Sequence, residues 1–256
     1  MIDFFFTRYR NFRKLKSNSR LYFTFKLSII AALFSRSARN ITLSNFLQEH
    51  LIHRDQDFMV ISKPAGLLSV PGKTPDLQDC VINRLLKEEP RTLLIHRLDR
   101  DTSGLLVFGL SKNGQKSISR QFQERETDKT YQALVAGKLE CQGTVDIPVV
   151  YDPSRPPLHI VDPNYSKAAL THWEAIEHFE INHHPVTRVK LTPITGRAHQ
   201  LRVHMQHLGH PIVGDTLYAS VEQQELTERL CLHAEKLSFS HPVTGEKLEF
   251  ISPVPF

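Results

Sequence analysis

The sequence is poor in cysteine and has no long hydrophobic run. Its 256 residues include three cysteines, Cys80, Cys141 and Cys231, which are far apart along the chain. This spacing offers neither a disulfide framework nor the closely spaced ligands of a zinc site, and it predicts a reducing, cytoplasmic compartment. The longest apolar run, Leu27–Phe34, has eight residues, whereas a membrane-spanning helix needs about 18. We therefore expect no transmembrane helix.

Two common enzyme fingerprints are also missing. The sequence contains no Gly-x-Ser-x-Gly motif and no Gly-x-Gly-x-x-Gly motif, so serine hydrolase and dinucleotide chemistry lose their usual support. Its composition, 40% hydrophobic and 23% charged, is that of an ordinary globular protein and excludes a fibrous or disordered chain.

Positive charge is concentrated at the start of the chain. Residues 1–49 hold nine of the 32 Lys and Arg residues and two of the 27 Asp and Glu residues. The remainder is close to neutral, so the net charge of +5 comes from the first segment. We expect residues 1–49 to be a basic extension and residues 50–256 to be the folded domain. The extension is interpreted as a disordered or loosely helical arm, a mitochondrial-type targeting segment, or the product of a start site placed too far upstream.

From residue 50 onwards, short apolar runs alternate with Gly and Pro, a pattern typical of strands and turns. Longer segments with apolar residues at helical spacing are fewer. The order predicts the α+β class with a mixed, largely antiparallel sheet. The predicted strands cover residues 58–61, 67–70, 104–110, 131–135, 171–176 and 186–191, and the predicted helices cover residues 79–88, 113–126 and 198–208.

A first polar cluster, His96–Gly104, directly precedes the strand predicted to be buried. It contains two arginines, two carboxylates and two hydroxyl groups. Loops at the ends of rigid strands often hold catalytic groups. The alternative is a polar turn whose charges pair with one another.

A second polar cluster, Thr195–His204, leads into the predicted helix over residues 198–208. Leu201, Met205 and Leu208 share one face of that helix, which places Arg202 among polar residues where it could pair with a distant carboxylate. The alternative is a surface helix with a solvated basic face. The nearby histidines lack the His-Glu-x-x-His spacing of a metal site, so we expect no metal.

Together these clusters resemble the RluA family of RNA pseudouridine synthases. The resemblance covers about residues 51–256, and Ser69–Gly72 and the short tail ending at Phe256 look closest to the member that modifies both ribosomal and transfer RNA. The matching motifs are Ser62–Leu67, His96–Gly104, Lys129–Tyr131, Gly196–His204, Leu208–Asp215 and Leu232–Glu235.

The resemblance implies the pseudouridine synthase fold, with a central cleft in which uridine in RNA is isomerised to pseudouridine. Asp99 matches the catalytic aspartate, which acts at C1′ as a nucleophile or at C2′ as a base. Arg202 matches its charge partner, and Tyr131 matches the tyrosine that stacks on the uracil and takes part in removal of the C5 proton. No cofactor is implied.

The resemblance also implies contacts with a flipped-out nucleotide, because a base inside a stem cannot be reached. Arg97 matches the arginine that enters the stem. His96, Arg197, His199 and Gln200 are expected to contact the RNA around it.

Residues 1–49 are too short for the N-terminal RNA-binding module of many such synthases, so substrate selection is expected within the catalytic domain. We expect a monomer that acts on stem-loops of ribosomal RNA, transfer RNA or both, without an obligatory protein partner and without a membrane. Two other functions fit less well: a non-catalytic RNA-binding or ribosome-assembly protein, and a metal-dependent hydrolase.

Overall fold

The structure, a computed structural model, describes residues 45–256. Its helices are α1 (Asn45–His50), α2 (Val81–Glu88), α3 (Lys112–Glu124), α4 (Gln200–His207) and α5 (Val221–Gln224), with a 3-10 helix over Pro75–Leu77. Its strands are β1 (Leu51–Arg54), β2 (Phe58–Lys63), β3 (Leu93–Leu94), β4 (Ser103–Gly109), β5 (Asp128–Ala136), β6 (Gln142–Asp146), β7 (Val149–Tyr151), β8 (His159–Val161), β9 (Leu170–Ile181), β10 (His184–Pro193), β11 (Leu232–Ser240) and β12 (Lys247–Ile251). None of these helices is long and apolar enough to cross a membrane.

Ten strands form one sheet in the order β1-β2-β4-β11-β5-β10-β9-β6, with β3 added beside β4 and β12 beside β11. Strands β7 and β8 form a separate two-stranded hairpin. Every pair of named strands is antiparallel except β4 and β11, which are parallel. The prediction of an α+β fold with a mixed, largely antiparallel sheet is confirmed.

Strand β4 is buried along its whole length, as its continuous apolar sequence predicts. The backbone of Gly104 has a positive φ of 110°, and a Cβ atom there would lie 2.3 Å from the carbonyl oxygen of Ala234 on β11. Only glycine allows this approach. At the start of the strand, the Ser103 hydroxyl bonds to His233 Nδ1 at 2.7 Å and accepts a hydrogen bond from Arg229 at 2.6 Å. Segments that lie far apart in the sequence thus fix the first residues of β4.

The predicted helices over residues 79–88, 113–126 and 198–208 correspond to α2, α3 and α4 within two residues at each end. The predicted strand over residues 67–70 is wrong, since Leu68 forms only an isolated bridge to Cys80. The carbonyl oxygens of Leu68 and Ser69 instead accept the N–H groups of Val81 and Ile82. This segment therefore satisfies the first amides of α2, which has no side-chain cap.

Helix α4 is buried on more than its apolar face. Leu201 and Met205 belong to the hydrophobic core, as predicted. Arg202 and His204 are also buried, with 3% and 0% of their surface exposed. The alternative of a solvated basic face is wrong for these two residues, because both are enclosed by protein.

The core extends upstream of residue 50. Phe46 in α1 is buried and packs in the same apolar cluster as Met59 and Leu85. Residues 46–256 form one compact unit. The basic extension predicted for residues 1–49 lies, up to residue 44, outside the described residues, so its boundary stays a prediction.

Candidate active site

A cleft of about 580 Å³ lies between the loop that precedes β4 and the turn that precedes α4. The structure brings all of the predicted site residues to the lining of this cleft: His96, Arg97, Asp99, Tyr131, Arg197, His199, Gln200 and Arg202. Arg125 and Lys129 line it as well. Among the described residues that line the cleft, Asp99 is the one acidic residue and five are Arg or Lys, so the cleft favours a polyanion.

Asp99 follows a firmly fixed residue. The buried Leu98 accepts a hydrogen bond from the Ser69 hydroxyl at 2.7 Å and donates one back to it at 3.1 Å. The carboxylate of Asp99 itself forms no hydrogen bond with any residue that the structure describes, and its side chain is 25% exposed. Its oxygens therefore keep lone pairs for chemistry.

Arg202 faces Asp99 without being its main partner. Its Nη1 lies 3.6 Å from Asp99 Oδ2. Its planar fork binds Asp215 instead, through Nε to Oδ2 at 2.8 Å and Nη2 to Oδ1 at 2.7 Å. Burial lowers the pKa of Arg202, but hydrogen bonds to Asp215 and the charges of Asp215 and Asp99 outweigh this effect and leave the pKa raised. Arg202 is thus a fixed cation shared by two carboxylates.

Asp215 is the residue that sequence reasoning missed. It is fully buried, and its Oδ1 also accepts the N–H groups of Leu217 and Tyr218 at 2.9 and 3.2 Å. The sequence offered a signal, because Asp215 ends a matching motif next to apolar residues. A buried acid requires a cationic partner.

Tyr131 lies on β5, between Leu191 of β10 and Ala234 of β11. Burial raises the pKa of its hydroxyl strongly, and the charge of Asp99 raises it further. Tyr131 is therefore a neutral phenol at physiological pH.

His199 precedes α4 with a positive φ of 56°. Its Nδ1 bonds to the Tyr218 hydroxyl at 2.6 Å, and its Nε2 lies 4.0 Å from Asp99 Oδ2. Burial lowers the pKa of His199 to about 4, against the opposing charge of Asp99. The ring is thus neutral and faces the carboxylate.

Gln200 was expected to contact RNA, but its side-chain amide is engaged within the protein. Its oxygen accepts from Thr195 Oγ1 at 2.7 Å and from the Arg197 N–H at 3.0 Å. Its nitrogen donates to the Leu170 carbonyl and to Thr171 Oγ1, both at 3.0 Å. Gln200 therefore holds the turn that carries Arg197, and its expected contact with RNA stays a prediction.

His96 forms part of the cleft wall. Its ring stacks on Phe122 at 4.4 Å, and its Nε2 accepts the Val107 N–H at 3.1 Å. Burial, with a smaller contribution from Lys129, lowers the pKa of His96 to about 3. A neutral ring bound in this way supports the wall, whereas its neighbour Arg97 is exposed.

Lys63 supports the Asp99 loop from below. Its Nζ donates to the carbonyl oxygens of Pro64, Leu67 and Arg100 at 2.7–2.8 Å. Burial lowers the pKa of Lys63 to about 7, although the charges of Asp101 and Asp99 raise it. The ammonium form has three protons for these three carbonyls, so it suits the arrangement.

One group among residues 45–256 has the composition of a metal site: Asp55, Asp57 and His241. His241 Nδ1 accepts the N–H groups of Val243 and Thr244, so its proton lies on Nε2, which is 3.2 Å from Asp55. A protonated nitrogen cannot bind a metal. Hydrogen bonding within the protein accounts for this group.

The sequence and the fold are similar to those of known proteins. A sequence model of the family described as RNA pseudouridylate synthase matches residues 57–207. The chain is 48% identical over 207 residues to the dual-specificity RNA pseudouridine synthase RluA of Pasteurella multocida strain Pm70, covering 80% of this chain and 93% of the relative. It is 43% identical to the protein of the same name from Escherichia coli strain K12, with the same coverage.

A solved structure of human RNA pseudouridylate synthase domain containing 1 is similar with a TM-score of 0.69 and 32% identity, over 81% of this chain and 84% of that one. Human RNA pseudouridylate synthase domain containing 4 is similar with a TM-score of 0.66 and 26% identity, over 84% and 92% of the two chains.

Proposed function

The chain belongs to the RluA family of RNA pseudouridine synthases, and from this we propose that it isomerises uridine to pseudouridine in stem-loops of ribosomal RNA, transfer RNA or both, with Asp99 as the catalytic carboxylate. The observation that carries the proposal is a partly exposed carboxylate that forms no hydrogen bond with a described residue, in a cleft whose other charged lining residues are cationic. A non-catalytic RNA-binding protein would have no need of such a group.

Asp99 acts on the ribose, at C1′ as a nucleophile or at C2′ as a base. Nη1 of Arg202 and Nε2 of His199 both lie near Oδ2, so Oδ1 is available to the sugar. The bond from N1 to C1′ breaks, the detached uracil turns, C5 bonds to C1′, the C5 hydrogen leaves as a proton, and N1 takes up a proton, so the product is an isomer of uridine. No atom is exchanged with another substrate, and no cofactor is required.

Tyr131 closes the cleft beside Asp99 and stacks on the uracil. Its raised pKa keeps the phenol protonated in the free protein. Its flat ring can hold the detached base while the base turns.

Arg97 is exposed at the cleft and fills the space that the flipped nucleotide leaves in the stem. Arg197, Arg125 and Lys129 contact phosphate groups, which gives affinity with little sequence information. Gln200 stabilises the turn that carries Arg197, and His96 stabilises the wall of the cleft.

The named relatives are dual-specificity synthases, and both ribosomal and transfer RNA are the substrates we propose for this chain. Residues 50–256, with Phe46 packed in the same core, form the catalytic domain, and the nine cations of the preceding extension add nonspecific attraction to RNA. The enzyme acts as a monomer in the cytoplasm and needs no protein partner.

The test uses purified protein, without metal or nucleotide, and a short stem-loop labelled with tritium at C5 of uridine. We expect tritium release with wild-type protein and none above background with Asp99→Asn. The affinity of Asp99→Asn for RNA should stay within about fivefold, because phosphate contacts supply most of it. RNA binding without tritium release by wild-type protein would favour the non-catalytic alternative, and loss of activity on chelation would favour a metal-dependent enzyme.

A further inference from the structure

A row of aromatic rings runs from the β7–β8 hairpin to the cleft. Tyr151 and His159 are 5.5 Å apart between ring centroids, His159 and His199 are 4.7 Å apart, and His199 and Tyr218 are 5.6 Å apart. Tyr218 also stacks under the guanidinium of Arg202, 5.0 Å from its centroid. The row thus ends at the groups that face Asp99.

The Tyr218 hydroxyl determines which nitrogen of His199 carries the proton. Its oxygen accepts the backbone N–H of His159 at 2.9 Å and lies 2.6 Å from His199 Nδ1. Among the described residues the hydroxyl has no other hydrogen-bond partner. Since Tyr218 is buried, its proton must go to Nδ1 or remain unsatisfied. Nδ1 is therefore the acceptor, and the proton of the neutral ring lies on Nε2.

The protonation state of both groups agrees with this assignment. Burial lowers the pKa of His199 to about 4, and the charges of Arg202 and His159 add to that effect while Asp99 opposes it. Burial raises the pKa of Tyr218 to about 12. At neutral pH the pair is thus a phenol that donates to a neutral imidazole, whose Nε2–H points at Asp99.

We propose that Tyr218 and His199 form a positioning pair for Asp99: the Tyr218 hydroxyl fixes the His199 tautomer, and His199 Nε2–H holds Asp99 Oδ2 beside Arg202 so that Oδ1 meets the sugar. This proposal rests on the proposed function, because it takes Asp99 to be the catalytic carboxylate. It gives His199 a different role from the RNA contact expected from the sequence.

The distance from Nε2 to Oδ2, 4.0 Å, exceeds a hydrogen bond in the free protein. Catalytic hydrogen bonds are often long without substrate and shorten when substrate binds. The His159 N–H connects the hairpin to the pair.

Two substitutions of His199 separate the functions of its nitrogens. The amide of His199→Asn lies near the Nδ1 position, so it keeps a bond to Tyr218 and loses the donor to Asp99. The longer His199→Gln places its amide nitrogen near the Nε2 position and keeps that donor. We expect single-turnover rates at saturating RNA to fall about 10- to 100-fold for Asn and less than about fivefold for Gln. The Kd for RNA should stay within about threefold for both.

Stability and rate should rank these variants in opposite orders. Asparagine tolerates the positive φ at position 199 better than glutamine does, so His199→Asn should be the more stable and the slower variant. If His199 had a purely structural role, the more stable of the two variants would also be the faster one.

Tyr218→Phe provides an independent variant, since it removes the hydroxyl and keeps the ring against Arg202. We expect a rate decrease of about 5- to 10-fold that disappears in the His199→Gln background, where no tautomer remains to be fixed. The control is His207→Asn, on the exposed side of α4, with the wild-type rate.

Equal rates for His199→Asn and wild type would overturn the proposal, as would a raised Kd with an unchanged rate at saturation, which would make His199 an RNA contact. Equally slow Asn and Gln variants would overturn it too. The proposed function fails separately, if wild-type protein releases no tritium or Asp99→Asn remains active.

Discussion

Two carboxylates share the guanidinium of Arg202, and they are held in opposite ways. Asp215 is fully buried and accepts four hydrogen bonds, two from Arg202 and two from backbone N–H groups. Asp99 lies on the cleft side of the same cation, a quarter exposed, with no hydrogen bond to a described residue. Asp215 is fully hydrogen-bonded, whereas Asp99 lies near hydrogen-bond donors without being bonded to them.

This difference separates support from reactivity. Hydrogen bonds to a carboxylate stabilise its charged form and occupy the lone pairs that a nucleophile or base needs. The lone pairs of Asp215 accept hydrogen bonds that fix Arg202. Nη1 of Arg202 lies 3.6 Å from Asp99, close enough for its positive charge to act on that carboxylate but without a hydrogen bond to the Asp99 oxygens. Arg202 thus acts on Asp99, the proposed catalytic group, through its charge, whereas Asp215 is held by hydrogen bonds.

Replacement of the shared cation should have the largest effect. Arg202→Met leaves Asp215 buried without a partner and Asp99 without its nearby positive charge. We expect turnover at saturating RNA to fall about 100- to 1,000-fold and the free energy of unfolding to fall by about 3–5 kcal/mol. Single-turnover kinetics and urea denaturation measure the two effects. Adding Asp215→Leu should restore stability but not turnover; restored turnover would show that Arg202 does not act on Asp99.

The next largest effects are expected from neutralising Asp215 and Asp99 separately, which should distinguish a loss of stability from a loss of activity. Asp215→Asn removes the charge that pairs with a buried guanidinium, so we expect a loss of about 3 kcal/mol in the free energy of unfolding. Asp99→Asn should change it by less than about 1 kcal/mol, because the side chain is partly exposed and has no hydrogen bond to residues 45–256. Equal losses in urea denaturation would contradict the division.

The cleft wall that contains His96 can be tested through the pH dependence of the free energy of unfolding. The folded state keeps His96 neutral down to a pKa of about 3, whereas the unfolded chain takes up a proton below about 6.5. The unfolded state therefore binds more protons between these values, and stability falls as the pH falls through this range. From pH 7 to pH 5 we expect His96 to account for up to about 2 kcal/mol of lost stability.

His96→Gln should lack this contribution, because glutamine can accept the Val107 N–H but does not titrate. Urea denaturation of both proteins at pH 7 and pH 5 measures it. The same pH dependence in both would mean that the His96 ring is open to solvent and that the wall beside Asp99 is not closed.

The smallest effect is expected for an arginine at the rim. Arg197 donates to the Ala168 carbonyl at 3.1 Å and has no carboxylate partner among the described residues. Arg197→Met should raise the Kd for RNA about three- to tenfold and leave the rate at saturating RNA unchanged, because a phosphate contact adds affinity only. A slower rate at saturating RNA would show that Arg197, like Arg202, contributes to turnover and not only to affinity.

The sequence was informative where local pattern decides the structure. The apolar run after Ser103 predicted buried β4, and the spacing of Leu201 and Met205 predicted the core face of α4. The family motifs brought Asp99, Tyr131 and Arg202 to one cleft. These predictions needed only periodicity and matched residues.

The sequence could not show how polar groups pair inside the fold. The partner of the Arg202 fork, the four bonds of the Gln200 amide and the bond from Tyr218 to His199 all depend on distances between separate elements. A buried hydrophobic residue can accept many neighbours, whereas a buried polar group needs a specific partner, which periodicity does not identify.

The parallel pairing of β4 with β11 also sets the order in which the enzyme becomes active during synthesis. Asp99 and Ser103 leave the ribosome long before His233 and Arg229, which fix the start of β4. Contacts of such long sequence separation form late. A growing chain surrounded by RNA therefore carries Asp99 on a loop whose following strand is not yet fixed at its start, and we expect a chain released before β11 has been made to be inactive.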